Sequence, residues 1–351
     1  MNITINNQVY EVAEGMTILE ICSQQKIDVP TFCYERGLTI SGSCRICVVE
    51  VRGQRRLVAA CSTPAVADMV IDTESSRAVA ARRQILSLMI ANHHQNCPEC
   101  HRNNDCKLQT YCNRYQVTIS PFADGSRKKL TVDQSNPFFI RDHRKCILCG
   151  KCVSICSDIN GAHAIDFTQR GYMTKVTSSF DVNLQETGCT FCGMCVDVCP
   201  VGALVAKSEI GSCNDGIIKK TQTTCSFCGV GCQLQLKTSN QRIIGVQSDR
   251  SGSNDGHLCV KGKFGWEYIH SDRRLQHPLI KDRQMGEFVQ ATWEQAIDCI
   301  YENFQRILHD HGGTALAGLC SAKATNEENY LFQKLIRTVF QSNNIDHCAR
   351  L

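Results

Sequence analysis

An α+β, multidomain architecture organised around metal sites is what this sequence predicts, on three observations. The 351 residues include 25 cysteines, most of them in close groups. Two groups repeat one design: Cys146-x2-Cys149-x2-Cys152-x3-Cys156, then Cys189-x2-Cys192-x2-Cys195-x3-Cys199-Pro200. Strand-like runs precede this repeat, and a helix–strand–helix pattern follows it. Three cysteines at i, i+3 and i+6 wrap a backbone around one cubane, and the fourth ligand comes from the other run. The class is therefore an α+β multidomain iron–sulfur protein.

Composition narrows the setting. The length suffices for two or three domains with real cores, and charged (21%) and hydrophobic (42%) fractions are ordinary. Disulfide scaffolds reach a similar cysteine density, but they are short and secreted. This chain opens MNITINNQVYEV, with no apolar signal core, and its paired arginines are all internal. The longest apolar run, residues 85–91, is broken by Ser87 and too short to span a bilayer. Clustered cysteines in a reducing cytoplasm point to metal. The net charge of +4 does not imply nucleic acid, because the basic residues form no stripe and no aromatics interleave with them. Each oxidised cluster with four thiolates carries about −2, which makes the loaded protein mildly acidic.

Five segments follow in order: residues 1–78, 79–119, 138–209, 218–274 and 275–351. The first alternates strand-like runs (3–5, 9–12, 46–51, 57–60) with a helix over 17–25. Residues 75–92 have helical spacing and lead into a Cys/His-rich knot. Residues 120–135 are a polar connector, and 138–209 hold the internal repeat. A fourth cysteine group sits among short strands from 218. In the last segment Thr292-Trp-Glu-Gln295 is a capping box opening a helix that ends at Gly312. Residues 314–320 (TALAGLC) are expected as a buried strand, and Asn326 as the cap of a second helix. This is the opening of an α/β domain.

The repeat assigns Cys146, Cys149, Cys152 and Cys199 to one [4Fe-4S] cluster. Cys189, Cys192, Cys195 and Cys156 hold a second. Zinc normally uses well-separated pairs, and two matching quartets weigh against it. Near the N-terminus, Cys33-x10-Cys44-x2-Cys47-x13-Cys61 suits a [2Fe-2S] rhomb, although four thiolates also suit zinc. His93-x3-Cys97-x2-Cys100-x5-Cys106 suits a one-histidine cluster or a zinc knuckle, with His94 and His101 competing for the role of His93. Cys225-x2-Cys228-x3-Cys232-x26-Cys259 again fits a cubane. Lys261, two residues on, is either a cation beside that cluster or a solvated surface lysine. Cys22, Cys112, Cys213, Cys299, Cys320 and Cys348 are left over, buried or incidental.

The order of sites, ending in CSFCGVGC…HLCVKG, resembles the catalytic subunit of cytoplasmic molybdenum- or tungsten-dependent formate dehydrogenases over the whole chain. The first 210 residues also resemble the iron–sulfur half of iron-only hydrogenases, and parts resemble the large iron–sulfur subunit of NADH:quinone oxidoreductase. SGSCRICVVEV and the His93 knot are similar in all three. The iron-only hydrogenases continue into cysteine motifs absent here, and the respiratory subunit usually lacks the complete pair of quartets. The tail, HPLI…ATWEQAID…SAKATNEENYLFQKLIRTVFQSNNIDHCARL, is similar to the start of the bis-pterin domain.

The resemblance implies a [2Fe-2S] β-grasp ferredoxin domain, a helical one-His/three-Cys [4Fe-4S] domain with His93 as ligand, and a 2×[4Fe-4S] ferredoxin domain. A molybdopterin oxidoreductase [4Fe-4S] domain and the start of its α/β catalytic domain follow. Lys261 matches the relay lysine between proximal cluster and pterin, and residues 321–328 approach the cofactor. The implied cofactors are one [2Fe-2S] cluster, four [4Fe-4S] clusters and a Mo or W bis-molybdopterin guanine dinucleotide. The implied partner is a flavin- and NAD(P)-binding iron–sulfur subunit or ferredoxin, and the implied substrate is formate or CO2. The rival expectation is a non-catalytic iron–sulfur subunit of an NADH:quinone oxidoreductase-like complex.

In that family the metal ligand directly follows the segment matching DHCARL, and the histidine and arginine that handle formate lie further on. The expectation is therefore a selenocysteine at position 352, encoded by UGA, with an arbitrary boundary or frameshift as the alternative. No catalytic residue is expected within the 351, and alone they should be inactive toward formate.

Overall fold

The computed structural model describes residues 1–122, 130–211 and 218–348. The chain divides into two compact units, Met1–Ile218 and Lys219–Leu351. Part of the expected connector (123–129), Cys213 and the last three residues lie outside the described residues, as does the side chain of Cys348.

The first unit opens with the hairpin β1 (Asn2–Ile5) and β2 (Gln8–Glu11), then α1 (Ile18–Gln24), β3 (Val48–Val51), β4 (Val58–Ala59) and β5 (Val70–Asp72). These form one sheet in the order β2-β1-β5-β3-β4, parallel only between β1 and β5. Period-2 alternation puts Ile3, Ile5, Val49 and Val51 into one core with Ile18, Ile21 and Cys22 of α1. Thr17 caps α1 in a reciprocal box with Glu20.

Ser75 caps α2 (Ser76–Asn92), whose buried positions are Ala78, Arg82, Leu86 and Ile90, each four residues on from the last. One of these is an arginine. Its guanidinium donates to the Val48 carbonyl (2.8 Å), Tyr115 Oη (2.8 Å) and Glu74 (2.9 Å), tying α2 to β3. A further helix, α3 (Lys107–Arg114), follows the Cys/His-rich knot. Its Tyr111 packs edge-on against Phe32, with ring centroids 5.2 Å apart.

The repeat is built on β6 (Val132–Asp133), β7 (Phe139–Asp142), α4 (Lys151–Ser154), the hairpin β8 (Asp166–Thr168) and β9 (Lys175–Thr177), α5 (Met194–Val198) and β10 (Leu204–Ala206). β7 lies between β6 and β10. The repeat extends to the backbone. Leu148 and Phe191 share φ 55°, and Gly150 and Gly193 sit at φ 79° and 76° before α4 and α5. Each glycine takes a left-handed conformation that costs it nothing, starting the helical turn that carries the third cysteine.

The second unit begins with the meander β11 (Lys219–Thr224), β12 (Gln233–Ser239) and β13 (Arg242–Ser248), then α6 (Val260–Phe264), around Leu234, Val246, Leu258 and Trp266. After the hairpin β14 (Leu279–Lys281) and β15 (Phe288–Gln290) comes α7 (Trp293–His311), opened by the expected Thr292/Gln295 box. Then follow β16 (Gly318–Ser321), α8 (Asn326–Thr338) and β17 (Ile345–Cys348), with β16 and β17 parallel.

Two expectations are corrected here. Thr325, not Asn326, caps α8, because its hydroxyl reaches the Glu328 N–H and Glu328 returns the bond. Residues 314–320 are a 3-10 turn followed by the short β16, in which Leu319 is 80% exposed. A two-stranded sheet with α8 on one side leaves the other side open. Among the described residues, no helix is long and apolar enough to cross a membrane.

Candidate metal centres

The first quartet is drawn together by strand pairing. Val48 of β3 faces Ala59 of β4, and the Ala60 N–H donates to the Cys47 carbonyl at 3.2 Å. Cys47 Sγ and Cys61 Sγ are consequently 3.5 Å apart. The intervening loop turns through Gly42 and Arg45, both at φ 58°, and brings up Cys44. Cys33 shares hydrogen bonds with Cys44 and Cys61, and Cys47 with Cys61. These lower Cys33 and Cys47 and raise Cys44 and Cys61, so the four thiols lie within one another's reach.

At the second site the three histidines separate. His93 is buried, and its Nδ1 has no hydrogen-bond partner among the described residues. Burial, then Lys145, push its pKa down to about 4, so the imidazole is neutral and free to donate a lone pair. His94 and His101 are only half-buried. An orphaned buried nitrogen is what a missing ligand bond leaves behind. Lys145 Nζ also lies 3.6 Å from Cys100 Sγ, which connects the histidine and cysteine parts of the knot.

His93→Cys is expected to keep a [4Fe-4S] cluster at this site with a lower reduction potential, because thiolate offsets more iron charge than neutral imidazole. His93→Ala should lose or destabilise it. Redox-monitored EPR checks both, and identical spectra in the two variants would move the ligand to His94 or His101, or return the site to zinc.

A glycine closes this site from the repeat. A Cβ on Gly202 would stand 2.7 Å from Cys100 Sγ, inside any real contact distance. In the cluster-free chain Cys100 can turn away, so Gly202→Ala should cost only about 1 kcal/mol. With Cys100 fixed on iron it cannot turn. Iron analysis should then show about four atoms per chain missing, whereas full loading would place Cys100 outside the ligand set.

In the repeat, the Leu148 N–H donates to Cys146 Sγ at 3.4 Å, and the Phe191 backbone does the same for Cys189. Burial, then Cys152 and Cys199, push Cys146 up to about 12, which places these three thiols within one another's field. Cys189, Cys192 and Cys156 interact likewise. One apolar cavity is lined by Cys156, Cys189, Cys192 and Cys195, the expected crossed set.

The first crossed set is a hub. From the N-terminal quartet's loop, Glu35 pairs with buried Lys151, next to Cys152, at 2.7 Å. From the histidine knot, Lys107 N–H donates to the carbonyl of Pro200, next to Cys199, at 2.9 Å.

In the second unit, burial and then Cys225, Cys228 and Cys259 raise the Cys232 pKa, so these four also share a field. Lys261 is exposed on α6, while Lys263 in the same turn is buried and donates from Nζ to the Val246 carbonyl. Among the described residues, no three His, Cys, Asp or Glu side chains form a group that would hold a single metal ion. The donor sets themselves, four cysteines or three with one neutral histidine, are of the kind that holds iron–sulfur clusters.

Residues 1–76 match the family model of the 2Fe-2S iron-sulfur cluster binding domain, and 82–121 the NADH-ubiquinone oxidoreductase-G iron-sulfur binding region. Residues 145–203 match the 4Fe-4S dicluster domain. Residues 218–271 match the molybdopterin oxidoreductase Fe4S4 domain, and 274–351 molybdopterin oxidoreductase itself. Iron–sulfur domains followed by the start of a molybdopterin oxidoreductase domain make up the chain.

Relatives of this chain carry several names. An NADH-quinone oxidoreductase G subunit of Rhizobium meliloti is 37% identical over all of this chain and 40% of its own length. NADPH-Fe(3+) oxidoreductase subunit alpha of Geobacter sulfurreducens is 35% identical over the same shares. A Staphylococcus haemolyticus protein named "Putative formate dehydrogenase" is 33% identical over 99% of this chain and 39% of its own. The chain thus spans about 40% of the length of these relatives. A solved NAD+-reducing [NiFe]-hydrogenase in the H2-reduced state is 30% identical with a TM-score of 0.55, covering 59% of this chain and 87% of that one.

Residues that sequence reasoning missed cluster around the candidate sites. Gly202 and Lys145 reach Cys100, and Lys151 reaches Glu35, only through tertiary contact. Cys112, expected to be buried or incidental, has its pKa raised to about 11 by burial and then by Cys106 and Cys97.

Proposed function

We propose that this chain is the electron-relay portion of a formate dehydrogenase. In the whole protein, formate is oxidised to CO2, or CO2 reduced, at a Mo or W ion held by two pterin dithiolenes. Electrons then pass through one [2Fe-2S] and four [4Fe-4S] clusters to a flavin- and NAD(P)-binding iron–sulfur subunit or ferredoxin. When bound, the clusters supply one-electron carriers in series.

The observation that carries the relay is the lacing of two donor sets onto the crossed set of Cys146, Cys149, Cys152 and Cys199. Glu35–Lys151 leads to it from the [2Fe-2S] side, and Lys107–Pro200 from the His93 side. Cys225, Cys228, Cys232 and Cys259 hold the cluster nearest the pterin, with Lys261 as the relay cation beside it. Formate as substrate is supported by the resemblance of the tail and by the staphylococcal relatives.

A second reading is favoured by the 37% identity to an NADH-quinone oxidoreductase G subunit. There the chain is a non-catalytic iron–sulfur relay in an NADH-linked complex. Metal analysis of the whole gene product separates the two. About one Mo or W per chain together with formate-dependent dye reduction supports the first, and iron alone supports the second.

A further inference from the structure

Arg141 sits in the middle of β7, between Leu204 of β10 and Asp133 of β6, and is only 5% exposed. Its Nη1 donates to the Val176 carbonyl at 3.1 Å. Its Nη2, equally buried, has no hydrogen-bond partner among the described residues. A guanidinium stays protonated in proteins, so a permanent charge is buried here with one arm of its fork free. Such burial is costly unless an anion compensates it.

The neighbouring carboxylate does not serve. Asp142 is held by Arg144 at 2.8 Å and lies 3.9 Å from Lys145. The groups whose field acts on Arg141 are thiols: Cys152, Cys195, Cys146 and Cys199. Three of these belong to the first crossed set and Cys195 to the second. Arg141 also lines the cavity walled by the whole second set.

We propose that Arg141 is the shared counter-charge of the paired clusters, with Nη2 donating a hydrogen bond to cluster or thiolate sulfur. The inference rests on the reading that these eight cysteines hold two [4Fe-4S] clusters. Each cluster gains one negative charge on reduction, and a fixed cation between them favours the reduced form of both. Hydrogen bonds to sulfur act in the same direction. One residue therefore raises both potentials together, keeping the pair matched for electron passage. It is a positioning and tuning residue, and forms no bond to iron.

The test is a redox titration of the cluster-loaded chain, followed by EPR through the spin-coupled signal that two adjacent reduced clusters give. Arg141→Gln should lower both potentials of the pair by about 60 mV or more, a tenfold change in each one-electron equilibrium. Arg141→Lys keeps the charge and should hold both within that tenfold. If Gln prevents loading of the pair while Lys permits it, the counter-charge is again supported. Three results overturn the proposal: unchanged potentials in a fully loaded Gln variant, equal falls in Gln and Lys, or loss of both clusters in both variants. A parent chain without any spin-coupled signal overturns the paired-cluster reading itself, and the inference with it.

Discussion

Cys199→Ala is expected to remove the cluster whose other three ligands lie more than forty residues earlier in the chain. The crossed set is Cys146, Cys149 and Cys152 with Cys199, and Cys199 is buried within the field of all three. Iron should fall by about four atoms per chain, and the spin-coupled signal should vanish because one partner is gone. Replacing Cys146, Cys149 and Cys152 together should cost the same four. Adding Cys199→Ala to that triple variant should cost no more, since both changes strike one cluster. Run-wise ligation predicts the opposite, with the combined variant losing about eight. Iron and acid-labile sulfide analysis of the three variants decides between them.

Arg82→Met should be the most destabilising single change away from any cysteine. Arg82 is fully buried on α2, and its charge-assisted bonds to Val48 O and Tyr115 Oη hold that helix on the N-terminal sheet. Tyr115 is itself flanked by two guanidinium groups, Arg82 at 5.6 Å and Arg114 at 5.3 Å from the ring centroid. Methionine fills much of the volume and relieves the burial of charge, yet it leaves the Val48 carbonyl without its strongest donor. The expected cost is about 3 kcal/mol, read as a lower urea midpoint with unchanged slope. A shift under about 1 kcal/mol would mean the network contributes no more than a surface ion pair.

The ligand runs were legible because cluster chemistry writes itself into local spacing. In each half of the repeat three donors fall within about seven residues of chain, and Leu148/Phe191 and Gly150/Gly193 repeat even the backbone angles. Capping boxes were legible for the same reason, as Thr292 and Gln295 lie within one helical turn. What was not legible depends on distant partners. β5 is three residues long and exists because β1 and β3 flank it. α3 starts at Cys106 with no side-chain cap, so no start signal precedes it. The resemblance pointed to His93 over His94 and His101, whereas its burial and its unpartnered Nδ1 are visible only in the fold. No local pattern marks Arg82 or Arg141, and only the fold shows each enclosed.

Iron, zinc and acid-labile sulfide measured on the same anaerobically purified chain, with Mössbauer spectroscopy to sort the iron by cluster type, test the central claim most directly. One [2Fe-2S] and four [4Fe-4S] clusters predict about 18 iron and 18 sulfide per chain, with about one-ninth of the iron in the two-iron form. Stoichiometric zinc at any of the five sites, or iron without matching sulfide, would contradict the account.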